Sequence, residues 1–247
     1  MNKKIFKDQY IKTAGFICNY DLIQDIDRYA MKFEDGLNTL FNGKKVELTG
    51  ATKIVDPNIP RFVLNDNKKQ LSASMVSVNL VHSFITLSFS KAIEVYNNNI
   101  KQLYDYLKSN LDFKDMTLQA DFTIHFPLKK IQKPLEEKIF KQLLKIDSPN
   151  KLNKVLIMYD EEKNELLYQY VMGNYEIRHL SIQESQLDKT KNNIVINPAQ
   201  TRVVEKGLLV KISIQNLKKD NCSLEYIVEK MNHEIKTFPE NLFFKED

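Results

Sequence analysis

Between Met116 and Phe126 the chain alternates without a break. Met116, Leu118, Ala120, Phe122, Ile124 and Phe126 are apolar, and Thr117, Gln119, Asp121, Thr123 and His125 stand between them. A period of two is the period of an extended strand, so the run predicts a strand with one apolar, buried face and one polar face. Everything else in the chain must supply a sheet around that strand and a cover for its apolar side.

The order of elements upstream does so. A mixed β-prone run over Tyr10 to Tyr20 ends at Asn19 and Asp21, either of which can cap a helix. Leu22, Ile26, Tyr29, Phe33, Leu37 and Leu40 then follow the three-and-four spacing of an amphipathic helix, which Asn42-Gly43 stops. Extended stretches follow around Val46 to Leu48 and Arg61 to Leu64, broken by Pro57 and Pro60. Asn65-Asp66-Asn67 is a turn, and Leu71 to Phe84 is a long Val- and Ser-rich strand candidate. A second helix carries Ile93, Tyr96, Ile100, Leu103, Tyr104, Leu107 and Leu111 on one stripe, with Ser90 as its expected cap. The order βαββαβ is that of ferredoxin-like folds, and it predicts an α+β protein whose ferredoxin-like half occupies residues 1–127, its elements beginning near residue 8.

Residues 128–247 add a different pattern. Pro134 sits well at the start of a short helix with Leu135, Ile139, Leu143 and Ile146 inward. Strands are predicted over Lys154 to Tyr159, Leu166 to Met172, Tyr175 to Ile182, Asn193 to Asn197 and Gly207 to Gln215, with Glu161 to Asn164 as a hairpin loop. Leu224, Ile227, Val228, Met231 and Ile235 mark a closing helix that Pro239 is expected to end. With no fixed-period repeat and no low-complexity linker, the two halves are expected to pack together as a helix plus antiparallel strands against the first unit.

Composition narrows the function classes. The hydrophobic fraction of 43% and charged fraction of 28% are those of a folded globular chain. No apolar run approaches the roughly 18 residues that a spanning helix requires, and charges interrupt the run after Lys3 and Lys4 where a signal peptide would be apolar. A cytoplasmic location without membrane contact is therefore expected. Cys18 and Cys222 have no CxxC partner and read as inert reduced thiols. The net charge of +4 is spread evenly over the two halves, so nucleic acid is not the favoured partner. GxxxxGK[ST], GxGxxG, GxSxG, HExxH and EF-hand patterns are all missing, which argues against kinase, P-loop NTPase, Rossmann oxidoreductase and zincin chemistry; no cofactor and no metal site are expected.

A few residues could still carry chemistry. His125 and Asp121 share the polar face of one strand, about 13 Å apart by strand rise, so each needs a partner from a neighbouring strand. His82 lies on a strand central to a ferredoxin-like sheet, where Asn79 or His82 could face the same surface. Two histidines on two strands resemble the two-histidine phosphoesterases, but His82-Ser83-Phe84 and His125-Phe126-Pro127 both lack the hydroxyl residue at the third position. Asp160-Glu161-Glu162-Lys163 has the letters of a magnesium nuclease in what reads as a solvated loop. Lys130, Lys138, Lys141 and Lys145 are candidates for anion or nucleic-acid binding, with a solvated helix face as the simpler reading. RNA-recognition domains stack bases on strand aromatics, and Ser72 to Val81 has none.

Pro60-Arg61-Phe62, Gln70-Leu71-Ser72 and Val76-Ser77-Val78-Asn79, with the late Leu208 to Ile214 strand and closing helix, resemble a sporadically distributed family of uncharacterised bacterial proteins of similar length. The resemblance implies no activity, and a patchy distribution suggests mobile or phage-defence loci. The leading expectation is a non-catalytic binding, interaction or regulatory protein with a protein partner or a homo-oligomeric state. The competing expectation is a phosphodiesterase or nuclease using His125, Asp121 and His82.

Overall fold

The computed structural model describes residues 6–50, 56–110, 116–129, 156–180, 201–217 and 223–243. Among these residues, nine strands form one sheet: β1 (Tyr10–Asn19), β2 (Val46–Leu48), β3 (Phe62–Asn65), β4 (Lys69–Ala73), β5 (Ser77–Ser83), β6 (Thr117–Pro127), β7 (Leu156–Lys163), β8 (Leu166–Leu180) and β9 (Thr201–Asn216). Their spatial order is β2-β3-β4-β5-β1-β6-β9-β8-β7, and every pairing is antiparallel. The helices are α1 (Ala30–Gly36), preceded by a 3-10 turn over Ile26–Tyr29, α2 (Phe89–Asn110) and α3 (Leu224–Phe243). The chain is thus α+β, with a mostly antiparallel sheet.

One sheet face is the core. Register aligns Ala14, Phe16 and Cys18 of β1 with Phe122, Ala120 and Leu118 of β6, and those with Ile212 and Ile214 of β9. All are buried. The helices cover this face. Tyr96 of α2 sets its ring edge-on to Phe122, 4.5 Å between centroids, and donates its hydroxyl to the Gly15 carbonyl at 2.6 Å. Phe33 of α1 meets Phe62 of β3, and Ile227, Met231 and Ile235 of α3 are buried in the same core. Among the described residues, no helix is long and apolar enough to cross a membrane.

The first half departs from expectation in its first helix and in Leu71 to Phe84, which is not one long strand but a hairpin of β4 and β5 turning at Ser74 to Val76. The apolar stripe from Ile26 to Leu40 is buried as predicted, but the helix itself is a 3-10 turn and seven residues of α1. Leu22 stays exposed. Asn42 and Gly43, both at positive φ, turn the chain back as expected. α2 starts at Phe89, one residue after Ser88, so Ser90 lies inside it and is not the cap.

The second half departs more. The expected loop over Glu161 to Asn164 is strand up to Lys163, and the turn is Asn164-Glu165. The two strands expected over 166–182 are one continuous strand through Leu180, with a bulge at Ile177/Arg178. α3 continues past Pro239 to Phe243. The Pro134 helix and the Asn193 to Asn197 strand lie outside the described residues. β6 of the first half pairs along nine positions with β9 of the second, so the sheet runs without interruption across the boundary at residue 127.

Candidate functional site

The sheet's second face carries no helix among the described residues. Strand alternation gives it Thr13, Ile17 and Asn19 from β1, Asn79 and Ser83 from β5, Gln119, Asp121 and Thr123 from β6, and Lys211, Ser213 and Gln215 from β9. Most are half-buried rather than hidden, as expected for a solvated sheet face. Hydroxyls and amides alternate there with apolar side chains, Ile17, Leu209, Val171 and the exposed Val81.

Asp121 sits at its centre. Lys211 of β9 approaches the Asp121 carboxylate at 3.4 Å, and Gln119 Nε2 donates to Ser213 Oγ at 3.0 Å and lies 3.4 Å from Asp121 Oδ1. The carboxylate's place depends on Gly15 of β1, its cross-strand neighbour. A Cβ at Gly15 would lie 2.4 Å from Asp121 Oδ2, well inside van der Waals contact. Both adjacent strands therefore contribute to Asp121, one a cation and the other an empty space.

His125 is on this face too, yet it is 1% exposed rather than open to solvent as its alternation predicts. Tyr175 of β8 covers it, stacking on the imidazole at 3.8 Å between centroids. One strand, β9, lies between β8 and β6, and its residue opposite Tyr175 is Gly207. A side chain there would meet Phe126 O at 2.2 Å and Tyr175 Cε1 at 2.9 Å, so glycine is what lets the tyrosine ring reach across. Tyr175 and Tyr10 both donate to Glu205 Oε1, at 2.7 and 2.8 Å. With its one proton committed to Glu205, the Tyr10 oxygen accepts from His125 Nδ1 at 3.1 Å. That assigns the proton to Nδ1 and leaves a lone pair on Nε2, which is buried with no hydrogen-bond partner among the described residues. Burial, reinforced by Lys12 and opposed by Glu205, lowers the His125 pKa to about 4 and keeps the ring neutral. Burial also raises the Tyr10 and Tyr175 hydroxyls well above the ordinary phenol range.

His82 does not join this group. Its register partners are Ala14 of β1 and Lys69 of β4, which place it on the helix-covered face. There it is buried, stacks on Phe84 at 3.9 Å and meets Asn99 of α2 at 2.9 Å through Nδ1, with its pKa lowered to about 4 by burial and then by Lys69. The sheet stands between the two histidines, so they cannot act on one phosphate. Of Asn79 and His82, Asn79 is the one that faces Asp121's surface.

The remaining candidates separate similarly. Asp160, Glu161, Glu162 and Lys163 are exposed on strand β7, where alternation sends Asp160 and Glu162 to one face and Glu161 and Lys163 to the other. Carboxylates so divided do not converge on one ion, and no cluster of three or more His, Cys, Asp or Glu suited to a metal occurs among the described residues. Lys130, Lys138, Lys141 and Lys145 lie outside the described residues. Cys18 is buried, contacts Met116 Sδ at 3.2 Å and has its thiol pushed up to about 12 by burial, which leaves it unreactive. Tyr175, Glu205 and Tyr10 are the site residues that sequence reading missed. The only signal was a glycine, Gly207, inside a strand. Comparisons with protein-family models, with curated proteins and with solved structures give no match to this chain.

Proposed function

We propose that the chain is a non-catalytic binding protein that uses the open sheet face to hold a protein partner. The observation behind this reading is that face's chemistry: half-buried hydroxyls and amides around the Asp121–Lys211 pair, interspersed with apolar Ile17, Val81 and Val171. One carboxylate against one ammonium leaves no concentrated positive charge for a phosphate backbone. Among the described residues, the open face presents no free aromatic ring to a base either, since Tyr10 and Tyr175 are packed on His125. A face of mixed polar and apolar side chains with little concentrated charge is compatible with protein contact, since such interfaces differ little in bulk polarity from the rest of a protein's surface. The first half reads, within this proposal, as a ferredoxin-like scaffold. The order β6-β1-β5-β4 with both its helices on one face supports that assignment, and the opposite face is where such a scaffold presents a surface.

The test is capture from the native host with the full chain. Gln119→Arg and Asn79→Arg place bulky charge on the face without entering the core. Proteins held by the parent chain are expected to be lost from both variants and retained by Lys101→Glu on the exposed side of α2. Equal capture by all four chains would refute the open-face assignment.

A further inference from the structure

The outer edge of the sheet makes a different and separate prediction. Among the described residues, β7 pairs only with β8, and its other side is an edge of unpaired backbone groups. Leu156, Met158 and Tyr159 on this strand are exposed by 57, 70 and 50%. Three large apolar side chains in four residues of an edge strand is the pattern that protected edges avoid.

The β7–β8 turn determines which groups are offered. Asn164 and Glu165 both have positive φ, 52° and 64°, the signature of a two-residue type I′ connection that closes on a hydrogen-bonded pair, Lys163 with Leu166. Residues 161, 159 and 157 therefore bond to β8, and Leu156, Met158, Asp160 and Glu162 point their N–H and C=O groups outward. A second copy of the same strand, docked antiparallel about a two-fold axis, must match outward residue to outward residue. The register that uses all four centres on Tyr159. It sets Leu156 opposite Glu162, Met158 opposite Asp160, Ile157 opposite Glu161, and Tyr159 opposite itself. No carboxylate then faces a carboxylate, whereas sliding by two residues toward the turn would set Asp160 against Asp160. Tyr159 already stacks on Tyr170 at 5.8 Å, and Tyr170 on Tyr168 at 6.4 Å, so the paired copies would join two tyrosine rows across the axis.

We infer that the chain forms a two-fold homodimer by antiparallel pairing of β7 in the Tyr159-centred register, making one continuous sheet through about eight new backbone hydrogen bonds. The contact is narrow, so the dimer is a reversible one.

Sedimentation equilibrium of the full-length protein is expected to show a monomer–dimer equilibrium. Position 158 reports the register because it faces Asp160 of the other copy. Met158→Lys should tighten association, and Met158→Glu should weaken it, each roughly tenfold since the pair occurs twice. Position 158 is exposed, so the melting temperature of the monomer should not move with either substitution. Tyr159→Cys should cross-link to a covalent dimer under mild oxidation, because opposed residues at a non-hydrogen-bonded site lie at disulfide distance, while Met158→Cys should not. A parent chain that stays monomeric to its solubility limit would overturn the inference, as would identical responses to Lys and Glu at 158 or equal cross-linking from 158 and 159.

Discussion

Two buried histidines make the protein's stability depend on pH at the level of single side chains. His82 and His125 are held neutral with pKa values near 4, whereas an unfolded histidine titrates near 6.5. Between those values the unfolded chain binds the additional protons, so stability rises with pH through the window and is complete above it. Read downward, stability is lost as pH falls from about 6.5 to about 4, by up to about 3 kcal/mol for each histidine. Urea midpoints measured across this range should fall steadily with acid. His125→Phe keeps a ring beneath Tyr175, removes the unpartnered Nε2 acceptor and should change stability at pH 7 by less than about 1.5 kcal/mol. It should also remove close to half of the acid loss. An unchanged slope in that variant would mean that His125 titrates normally in the folded state. The carboxyl of Asp66, held low by backbone N–H groups of Lys68 and Lys69 and by the Lys69 ammonium, acts in the same direction but only at still lower pH.

At the scale of elements, the β7–β8 hairpin carries a local conflict that a substitution can relieve. Type I′ turns need positive φ at both central residues; Asn164 tolerates it, and Glu165 at φ 64° does so at a cost. Glu165→Gly should raise stability by about 0.5–1 kcal/mol, and Glu165→Val should lower it by at least as much, since a β-branched residue resists this conformation. Thermal melts of the pair would show the opposed signs; a loss with glycine would mean that contacts of the glutamate outweigh its backbone strain. The same hairpin shows why part of the fold was legible in the sequence and part was not. β6 was readable because its alternation follows from one covered face, and α2 because its stripe of Tyr96, Ile100, Leu103 and Leu107 is fully buried. Residues 160–163 read as a loop because charge usually means solvent, yet an edge strand exposed on both faces takes charge in any position. α1 kept its apolar spacing but shortened, because the Tyr106 ring lies against Gly36 where a Cβ would be 2.1 Å away and packing, not helix propensity, sets where the chain turns. Asp121 and His125 were placed on the correct face by period two alone. What covers His125 arises from Tyr175, fifty residues later in sequence, and from a glycine on the strand between them. No local pattern encodes a contact of that kind.

At the scale of the molecule, the two halves visible in the sequence are joined by one seam. β6 closes the first half, and its outer edge pairs with β9 from Gln119–Gln215 to Pro127–Gly207. The apolar side of that seam is sealed by α3, whose Ile227, Met231 and Ile235 are buried in the core that also holds Phe122 and Ile124. On the polar side, Lys211 neutralises Asp121, and Glu205 with Tyr175 completes the cover of His125. A fragment ending at residue 127 would keep the βαββαβ order but lose all of these at once. It would expose the nine-position edge of β6, uncover apolar side chains beneath α3 and leave Asp121 without its cation. An unpaired long strand with alternating large apolar residues is a template for association. The 1–127 fragment is therefore expected to aggregate or to elute as a large species, and to lack a cooperative thermal transition. Adding a 201–243 segment in trans should not rescue it, because β9 is held on its other side by β8 across fifteen paired positions. In the full chain, unfolding followed by tyrosine absorbance and by far-ultraviolet circular dichroism should coincide, since Tyr10, Tyr96 and Tyr175 report on both halves of a single sheet. A soluble, cooperatively folded 1–127 fragment would instead make the seam an interface between two independently stable units, and the polar face would then belong to the first of them alone.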